Sequence, residues 1–165
     1  MKKILLLSDT HGCIDDKIIK YVLEADEVWH AGDIGDLIVT DSIKKIKPLR
    51  AVFGNIDGNQ ARLEFQEDLR FECEGLSVLI THIAGYPGRF NARVREILNK
   101  QAPKLMICGH SHILKVQFDP KYDMLFMNPG AAGIHGFHQV RTMLRFQVSD
   151  GKVHHLEVIE FPKKL

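Results

Sequence analysis

Residues 4–12 read ILLLSDTHG, an apolar run followed at once by polar residues and a glycine. Ile4 to Leu7 form a continuous apolar run, which is typical of a strand that is buried on both faces. The run ends abruptly, and Asp9 and His11 follow it within four residues. In an open α/β sheet the carboxyl ends of the parallel strands meet at one edge, where ligands bind. The stretch therefore predicts a buried first strand with polar side chains at the functional edge of a sheet.

Strands and helices alternate in the prediction up to about residue 60, and strands dominate the remainder. Apolar residues at helical spacing predict helices at 15–25, 37–46 and 91–100. Apolar runs and turn signals predict strands at 4–7, 27–30, 49–53, 69–74, 76–81, 104–108, 114–118, 124–127, 140–148 and 153–160. The repeated strand–helix–strand order predicts parallel strands with crossover helices. We expect one α/β domain over residues 1–165, with two packed sheets and helices outside.

Composition excludes several classes of protein. With 45% hydrophobic and 26% charged residues, the 165-residue chain can form a core and is not expected to be disordered. A net charge of +1 without a basic stripe argues against nucleic-acid binding. No apolar run approaches the roughly 20 residues of a membrane span, so no membrane association is expected. Three cysteines without a CxxC pair predict a reducing, cytoplasmic location.

Polar residues with metal-binding chemistry follow five of the predicted strands. Each segment alone is weak, because Asp and Gly favour turns for local backbone reasons. Five such segments at strand ends, far apart in sequence, are poorly explained by chance. The segments are Asp9-x-His11, Gly32-Asp33-x-x-Asp36, Gly54-Asn55-x-Asp57, Thr81-His82 and Gly109-His110-Ser111-His112.

The donors at these strand ends are oxygen and nitrogen atoms without thiolate. Such a set suits Mn²⁺, Fe²⁺, Zn²⁺, Ni²⁺ or Co²⁺. A structural zinc site would more often show paired cysteines, which are absent from the sequence. Seven donors are also too many for one tetrahedral metal with an open position, and they fit two metals that share a carboxylate.

The series of segments, in this order, resembles the calcineurin-like metallophosphoesterase superfamily, and in particular its small phosphodiesterase branch. The following Asn128-Pro129-Gly130 resembles a tail motif of that branch. The resemblance implies a four-layer αββα sandwich, with two mixed sheets flanked by helices. It also implies two divalent metal ions, with manganese expected first and iron, zinc, nickel or cobalt as alternatives. One metal would be held by Asp9, His11, Asp33 and His112, and the other by Asp33, Asn55, His82 and His110, so that Asp33 bridges.

By the same resemblance the chain is expected to hydrolyse a small phosphoester or nucleotide, most simply a phosphodiester. A water between two divalent metals has a lowered pKa, and the resulting hydroxide is the expected nucleophile. Asp33, Asn55 and His82 are the expected catalytic residues. Carboxylates near the ligands, Asp36 and Asp57, are expected to orient imidazole N–H groups.

One departure from the family pattern concerns the proton donor. Many members have a histidine between the Asn and Asp of the Gly-Asn-x-Asp segment, and here that residue is Ile56. General acid catalysis typically contributes about 10²–10⁴-fold, so slow turnover of poor leaving groups is expected. His135 or His138 is a candidate replacement, and Arg89 is a candidate contact for substrate phosphate.

Two other functions remain open at this point. The retromer subunit of eukaryotic sorting complexes resembles the same branch and uses the fold largely for protein contacts, so a non-catalytic interaction scaffold is the main alternative. A metal-regulated nucleotide-binding protein is the other. The sequence does not decide whether the chain forms a homo-oligomer.

Overall fold

The structure is a computed structural model that describes residues 1–163, so the last two residues of the predicted domain lie outside it. Within this range the chain folds into strands and helices in mixed order. The helices are α1 (Asp16–Glu24), α2 (Ile38–Lys44), α3 (Asn59–Glu64) and α4 (Ala92–Lys100). The strands are β1 (Lys2–Leu7), β2 (Glu27–His30), β3 (Leu49–Ala51), β4 (Asp68–Cys73), β5 (Leu76–Thr81), β6 (Leu105–Ile107), β7 (Leu114–Asp119), β8 (Met124–Pro129), β9 (Val140–Ser149) and β10 (Lys152–Pro162).

Two mixed five-stranded sheets form the centre of the molecule. The first has the order β10-β9-β1-β2-β3, and the second has the order β4-β5-β6-β8-β7. β1, β2 and β3 are parallel, as are β5, β6 and β8, while β9 runs antiparallel to β1. The predicted αββα sandwich with crossover helices is confirmed.

Alternating side chains of β1 explain the layers. Ile4 and Leu6 face the second sheet and join the core between the sheets, which also contains Trp29 and Phe146. Leu5 and Leu7 face the other way and pack in the cluster that includes the buried side chains of α1 and α2. A third cluster packs α4 on the outer face of the second sheet. The apolar run is thus continuous because β1 is covered on both faces.

Side-chain caps begin the two longest helices. Asp15 accepts a hydrogen bond from the backbone N–H of Ile18 before α1, and Asn91 accepts one from Val94 before α4. These helices agree with the predicted 15–25 and 91–100 to within one residue. In contrast, the sequence did not predict α3, which has six residues with Ala61 as its buried one, so it lacks an apolar stripe.

The carboxyl ends of the parallel strands meet at one rim of the sandwich. The segments after β1, β2 and β3 arrive there from the first sheet, and those after β5 and β6 arrive from the second. Among the described residues, no helix has the length and apolar character needed to cross a membrane.

Candidate metal centre

Two of the three ligand-bearing segments of the first sheet, those after β1 and β2, are held together by backbone hydrogen bonds. The Asp9 N–H donates to the Gly32 carbonyl at 2.9 Å, and the His11 N–H donates to the Asp33 carbonyl at 3.1 Å. Five predicted ligands have positive φ angles between 44° and 71°, namely Asp9, His11, Asp33, His110 and His112. Such backbone costs on the order of 1 kcal/mol or more for each non-glycine residue and concentrates at functional sites.

Asp9, His11 and His112 form the first group of possible metal ligands, with one atom of each within 4.8 Å of the others. The Asp9 Oδ1 atom lies 3.2 Å from Nε2 of His112 and 3.9 Å from Nε2 of His11. The other carboxylate oxygen of Asp9 accepts from the Ser8 hydroxyl at 2.6 Å and from the His110 N–H at 3.1 Å. One oxygen of Asp9 is therefore fixed by the protein, and the second is left for a cation.

Asp33, His82 and His110 form the second group. The Nε2 atom of His82 lies 3.2 Å from Oδ1 of Asp33. On the opposite side of the ring, Nδ1 of His82 is 2.7 Å from the Ala31 carbonyl, so it carries the proton and leaves the Nε2 lone pair facing the site. The Asn55 side-chain oxygen is 3.0 Å from Nδ1 of His110, which brings the predicted amide ligand to this group.

The Asp33 carboxylate lies between the two groups. Its Oδ1 faces His82, and its Oδ2 is 3.5 Å from Nε2 of His11 in the first group. Oδ1 of Asp9 and the Nε2 atoms of His11 and His82 are buried without a hydrogen-bond partner. Buried polar atoms without partners are costly, and these three are strong metal donors that converge on the same space. The residues present therefore fit a pair of divalent cations sharing Asp33.

The electrostatics of the site are dominated by burial and by the two carboxylates. Burial lowers the pKa of His11 despite the nearby carboxylates of Asp33 and Asp9. Burial opposes protonation of His82 as well, but its contacts with Asp33 and Asp9 outweigh this and raise its pKa. For Asp33, burial is outweighed by His82 and by the Ile56 N–H, which hold its pKa below the usual range. A cation would replace the proton that Asp33 and Asp9 otherwise favour on His82.

Asp57 and Asp36 bind backbone groups and not the predicted imidazoles. Asp57 is buried and accepts from the N–H groups of Ile34, Gly35 and Gly54, at 3.1, 2.9 and 2.7 Å respectively. It therefore joins the segments that carry Asp33 and Asn55. Asp36 accepts from the Ile38 N–H at 2.9 Å at the start of α2. The expectation that both orient imidazole N–H groups is corrected, because the hydrogen bonds that these carboxylates accept within the described residues come from main-chain donors.

Gly54 allows the closest approach of backbone to a ligand. A Cβ atom at this position would lie 2.1 Å from Oδ1 of Asp33, far inside van der Waals contact. Gly58, four residues later, has no atom within 4 Å of such a Cβ. The glycine of the Gly-Asn-x-Asp segment is thus required by the Asp33 carboxylate, whereas the second glycine is not required for space.

The structure places both candidate proton-donor histidines beside the first group. The His135 ring stacks on His11 with a centroid distance of 4.7 Å, and the His138 ring meets His112 edge-on at 5.2 Å. His138 is tied to its own loop through Nε2 and the Gly133 carbonyl, at 2.8 Å, whereas His135 is exposed. Ile56 is 47% exposed.

A cavity of about 400 Å³ adjoins the second group, and two arginines that sequence reasoning missed lie on its wall. Asn55 and His82 line the cavity together with Arg62 and Arg93, whereas the predicted Arg89 is exposed and is not part of the lining. Arg62 escaped prediction because α3 has no periodic signal. Arg93 lies on α4, and nothing in the sequence shows that this helix faces Thr81.

Asn128 is a further supporting residue whose role the sequence did not show. Its buried amide donates to the Gly109 carbonyl at 2.9 Å and to the Ser111 hydroxyl at 3.0 Å. These bonds fix the segment that carries His110 and His112. Asn128 of the predicted tail motif thus holds two candidate ligands in position.

A two-sheet αββα sandwich with paired clusters of carboxylates and imidazoles at one rim is the architecture of a metallophosphoesterase. The family profile described as the calcineurin-like phosphoesterase superfamily domain matches residues 1–151. The chain belongs to this superfamily.

Two curated relatives carry the same description. A probable metallophosphoesterase of Mycoplasma pneumoniae is 29% identical over 169 residues, which cover 99% of each chain. A probable metallophosphoesterase of Methanocaldococcus jannaschii is 26% identical over 131 residues, which cover 76% of this chain and 66% of that relative, just under two thirds of its length.

Solved structures share the fold at lower identity. An archaeal phosphodiesterase superposes with a TM-score of 0.73 at 21% identity, covering 96% of this chain and 99% of that chain. Vps29 of Entamoeba histolytica, in a structure with Zn²⁺, has a TM-score of 0.73 at 15% identity and covers 98% of this chain and 99% of its own. These likenesses support the fold.

Proposed function

We propose that this chain is a metal-dependent phosphodiesterase that hydrolyses a small phosphorylated molecule or a nucleotide at a dinuclear centre. The observation that carries the proposal is the position of the Asp33 carboxylate, which faces His82 with one oxygen and His11 with the other. A carboxylate shared in this way suits two cations at the separation of about 3.5–4 Å that two-metal hydrolysis requires.

When bound, the two cations would supply Lewis-acid activation of a phosphoryl oxygen and of the attacking water. The remaining functions belong to the chain. Asp9 and Asp33 provide two negative charges, which leave the loaded site positive towards an anionic phosphate. Asn55 is exposed at the mouth of the site, so its amide N–H can donate to a phosphoryl oxygen while its oxygen faces His110. His82 is held in one orientation by the Ala31 carbonyl.

Proton supply to the leaving group is assigned to His135. Ile56 occupies the usual donor position and has no titratable group. His135 stacks on His11 at the rim and is exposed, so it can exchange protons with solvent. His138 is a poorer candidate because burial lowers its pKa and its Nε2 is bonded to the Gly133 carbonyl.

The expected metal is manganese, with iron, zinc, nickel and cobalt as alternatives of the same donor preference. The Zn²⁺ in the Entamoeba histolytica Vps29 structure supports a transition metal on this fold. The three cysteines are free thiols, which supports a reducing, cytoplasmic location.

A protein-interaction scaffold is the second candidate function. Its support is the likeness to Vps29, a vacuolar protein sorting protein, together with the absence of a histidine at Ile56. Against it stands the complete set of predicted ligands around Asp33, which a scaffold does not require.

Hydrolysis of bis-p-nitrophenyl phosphate by metal-stripped protein tests the proposal. Mn²⁺, Ni²⁺ and Zn²⁺ are added back separately, with p-nitrophenyl phosphate as the monoester comparison. Activity should return with metal and be lost in Asp33→Ala, while the exposed carboxylate variant Asp41→Ala should retain it. Two bound metals per chain without turnover of either substrate would instead support the scaffold.

A further inference from the structure

The cavity beside Asn55 and His82 is placed to receive the part of a substrate that extends from its phosphate. It measures about 400 Å³, enough for a small organic substituent. One wall comes from the segment between β3 and α3, from Arg62 of α3 and from Glu67, and the other comes from the end of β5, the loop after it and the start of α4. A phosphoryl group held between Asn55 and His82 would direct its ester substituent into this space.

The charge of Arg93 is already neutralised. Its Nη1 donates to both oxygens of Asp68, at 2.9 and 2.7 Å, and its Nη2 donates to the Thr81 hydroxyl at 2.9 Å. Glu67, on the cavity wall, lies 4.0 Å from its Nε. Arg93 is therefore a fixed structural element that joins α4 to β4 and β5.

Arg62 is different because its exposed guanidinium has no carboxylate partner among the described residues. Its Nε donates to the Asp57 carbonyl at 2.8 Å, its Nη2 approaches the Asn55 carbonyl at 3.5 Å, and its guanidinium lies 4.6 Å from the centre of the Phe53 ring. Among the described residues it forms no ion pair with a carboxylate. These contacts tie it to the loop that carries Asn55 and leave its Nη1 donors unused.

We infer that Arg62 binds a second anionic group on the substrate, so that the preferred substrates are phosphoesters whose substituent carries a carboxylate or a further phosphate. A guanidinium presents parallel N–H donors that match these oxyanions in a bidentate arrangement. The Phe53 ring covers one face of the guanidinium, and both residues line the cavity. The inference rests on the proposed function, because it assumes that the phosphate lies at the metal centre.

Matched probes that differ by one anionic group test the inference. The pairs are ethyl phosphate with phosphoglycolate and glycerol 3-phosphate with 3-phosphoglycerate, which place the carboxylate at two distances from phosphorus. Each is measured on the metal-loaded full chain as an inhibitor of bis-p-nitrophenyl phosphate hydrolysis and, separately, by titration calorimetry. A charge-assisted bidentate contact predicts that the charged member of at least one pair binds about tenfold more tightly or better.

Arginine variants identify the source of that preference. In Arg62→Gln the charged and neutral members of a pair should bind with about the same dissociation constant. In Arg62→Lys the preference for the charged member should lie between that of Arg62→Gln and that of the wild type. Arg95→Gln, an exposed arginine on α4 outside the cavity lining, should keep the wild-type preference. Unchanged affinity for the neutral probes and unchanged metal content show that the Asn55 loop is intact in each variant.

Equal binding of charged and neutral probes by the wild type would overturn the inference. A preference that persists in Arg62→Gln would also overturn it, because the carboxylate would then be contacting the metals. Failure of the proposed function gives a separate result. If there is no turnover but calorimetry still shows an Arg62-dependent preference for the charged probes, the proposed hydrolase activity is rejected and the anion-binding role of Arg62 is retained.

Discussion

Protonation of His30 should destabilise the fold in mild acid. This residue ends β2 and is fully buried. Its Nδ1 accepts from the Gly32 N–H at 3.1 Å, and its Nε2 is 2.9 Å from the Thr10 hydroxyl. Because that hydroxyl donates to the Ile34 carbonyl, Nε2 carries the proton and the ring is neutral. A second proton on Nδ1 would face the Gly32 N–H, and burial itself lowers the pKa of His30 to about 4.

The direction and size of the effect follow from this pKa. Between pH values of about 6.5 and about 4 the unfolded chain binds a proton at His30 that the folded chain does not, so stability falls as the pH falls. With an unfolded pKa of about 6.5, the loss is about 2 kcal/mol between pH about 7.5 and about 5, and about 3 kcal/mol at pH about 4.

Urea unfolding of metal-stripped protein measures this loss in wild type and in His30→Asn. The asparagine oxygen can still accept from the Gly32 N–H, so the variant tests titration more than packing. Other histidines of the site are present in both proteins and cancel in the difference. Between pH about 7.5 and pH about 5, the free energy of unfolding of the wild type should fall by about 2 kcal/mol more than that of His30→Asn. The exposed His155→Asn variant controls for loss of a histidine as such. If the free energy of unfolding had the same pH dependence in wild type and in His30→Asn, the reasoning would be refuted.

Three further perturbations address the site. Ile56→His should raise kcat by about tenfold or more for alkyl leaving groups and have little effect on p-nitrophenolate release; equal effects on both would show that leaving-group protonation is not limiting. Gly54→Ala should lower the metal content measured by elemental analysis, because its Cβ would lie 2.1 Å from the Asp33 carboxylate, whereas Gly58→Ala should bind metal normally; full loading of both variants would contradict this. Asn128→Leu should lower the free energy of unfolding in urea by about 2 kcal/mol, since buried partners lose their donor; a change below about 0.5 kcal/mol would mean that these hydrogen bonds do not hold the ligand segment.

The fold could be predicted wherever burial imposes a simple pattern. β1 was predictable because both of its faces are covered, and the hairpin of β4 and β5 because Glu74 and Gly75 form its turn with positive φ. α3 was not predicted, because a six-residue helix with one buried alanine has no periodic pattern of apolar residues. Val52 was assigned to β3 but lies beyond it, in an isolated bridge to Gln66.

The convergence of the candidate ligands at one rim was predictable from the sequence, whereas the contacts that support them were not. Asp9, Asp33 and His82 follow strands directly, so topology alone brings them to one rim. The partners of Asp57 depend on which backbone N–H groups the folded loops present, and these come from two segments. Arg62 depends on a contact between α3 and Phe53 that no local pattern encodes.

Each group of possible metal ligands draws on both sheets, and this constrains when the site can exist. Asp9 and His11 stand on the first sheet and meet His112 from the second, while Asp33 meets His82 and His110 across the same boundary. A nascent chain released only as far as β3 would display its carboxylates without the imidazoles that complete either group. Metal binding by either complete group would therefore require that the two sheets have already docked. Removal of metal should therefore weaken the packing between the two sheets at this rim before it affects either sheet alone.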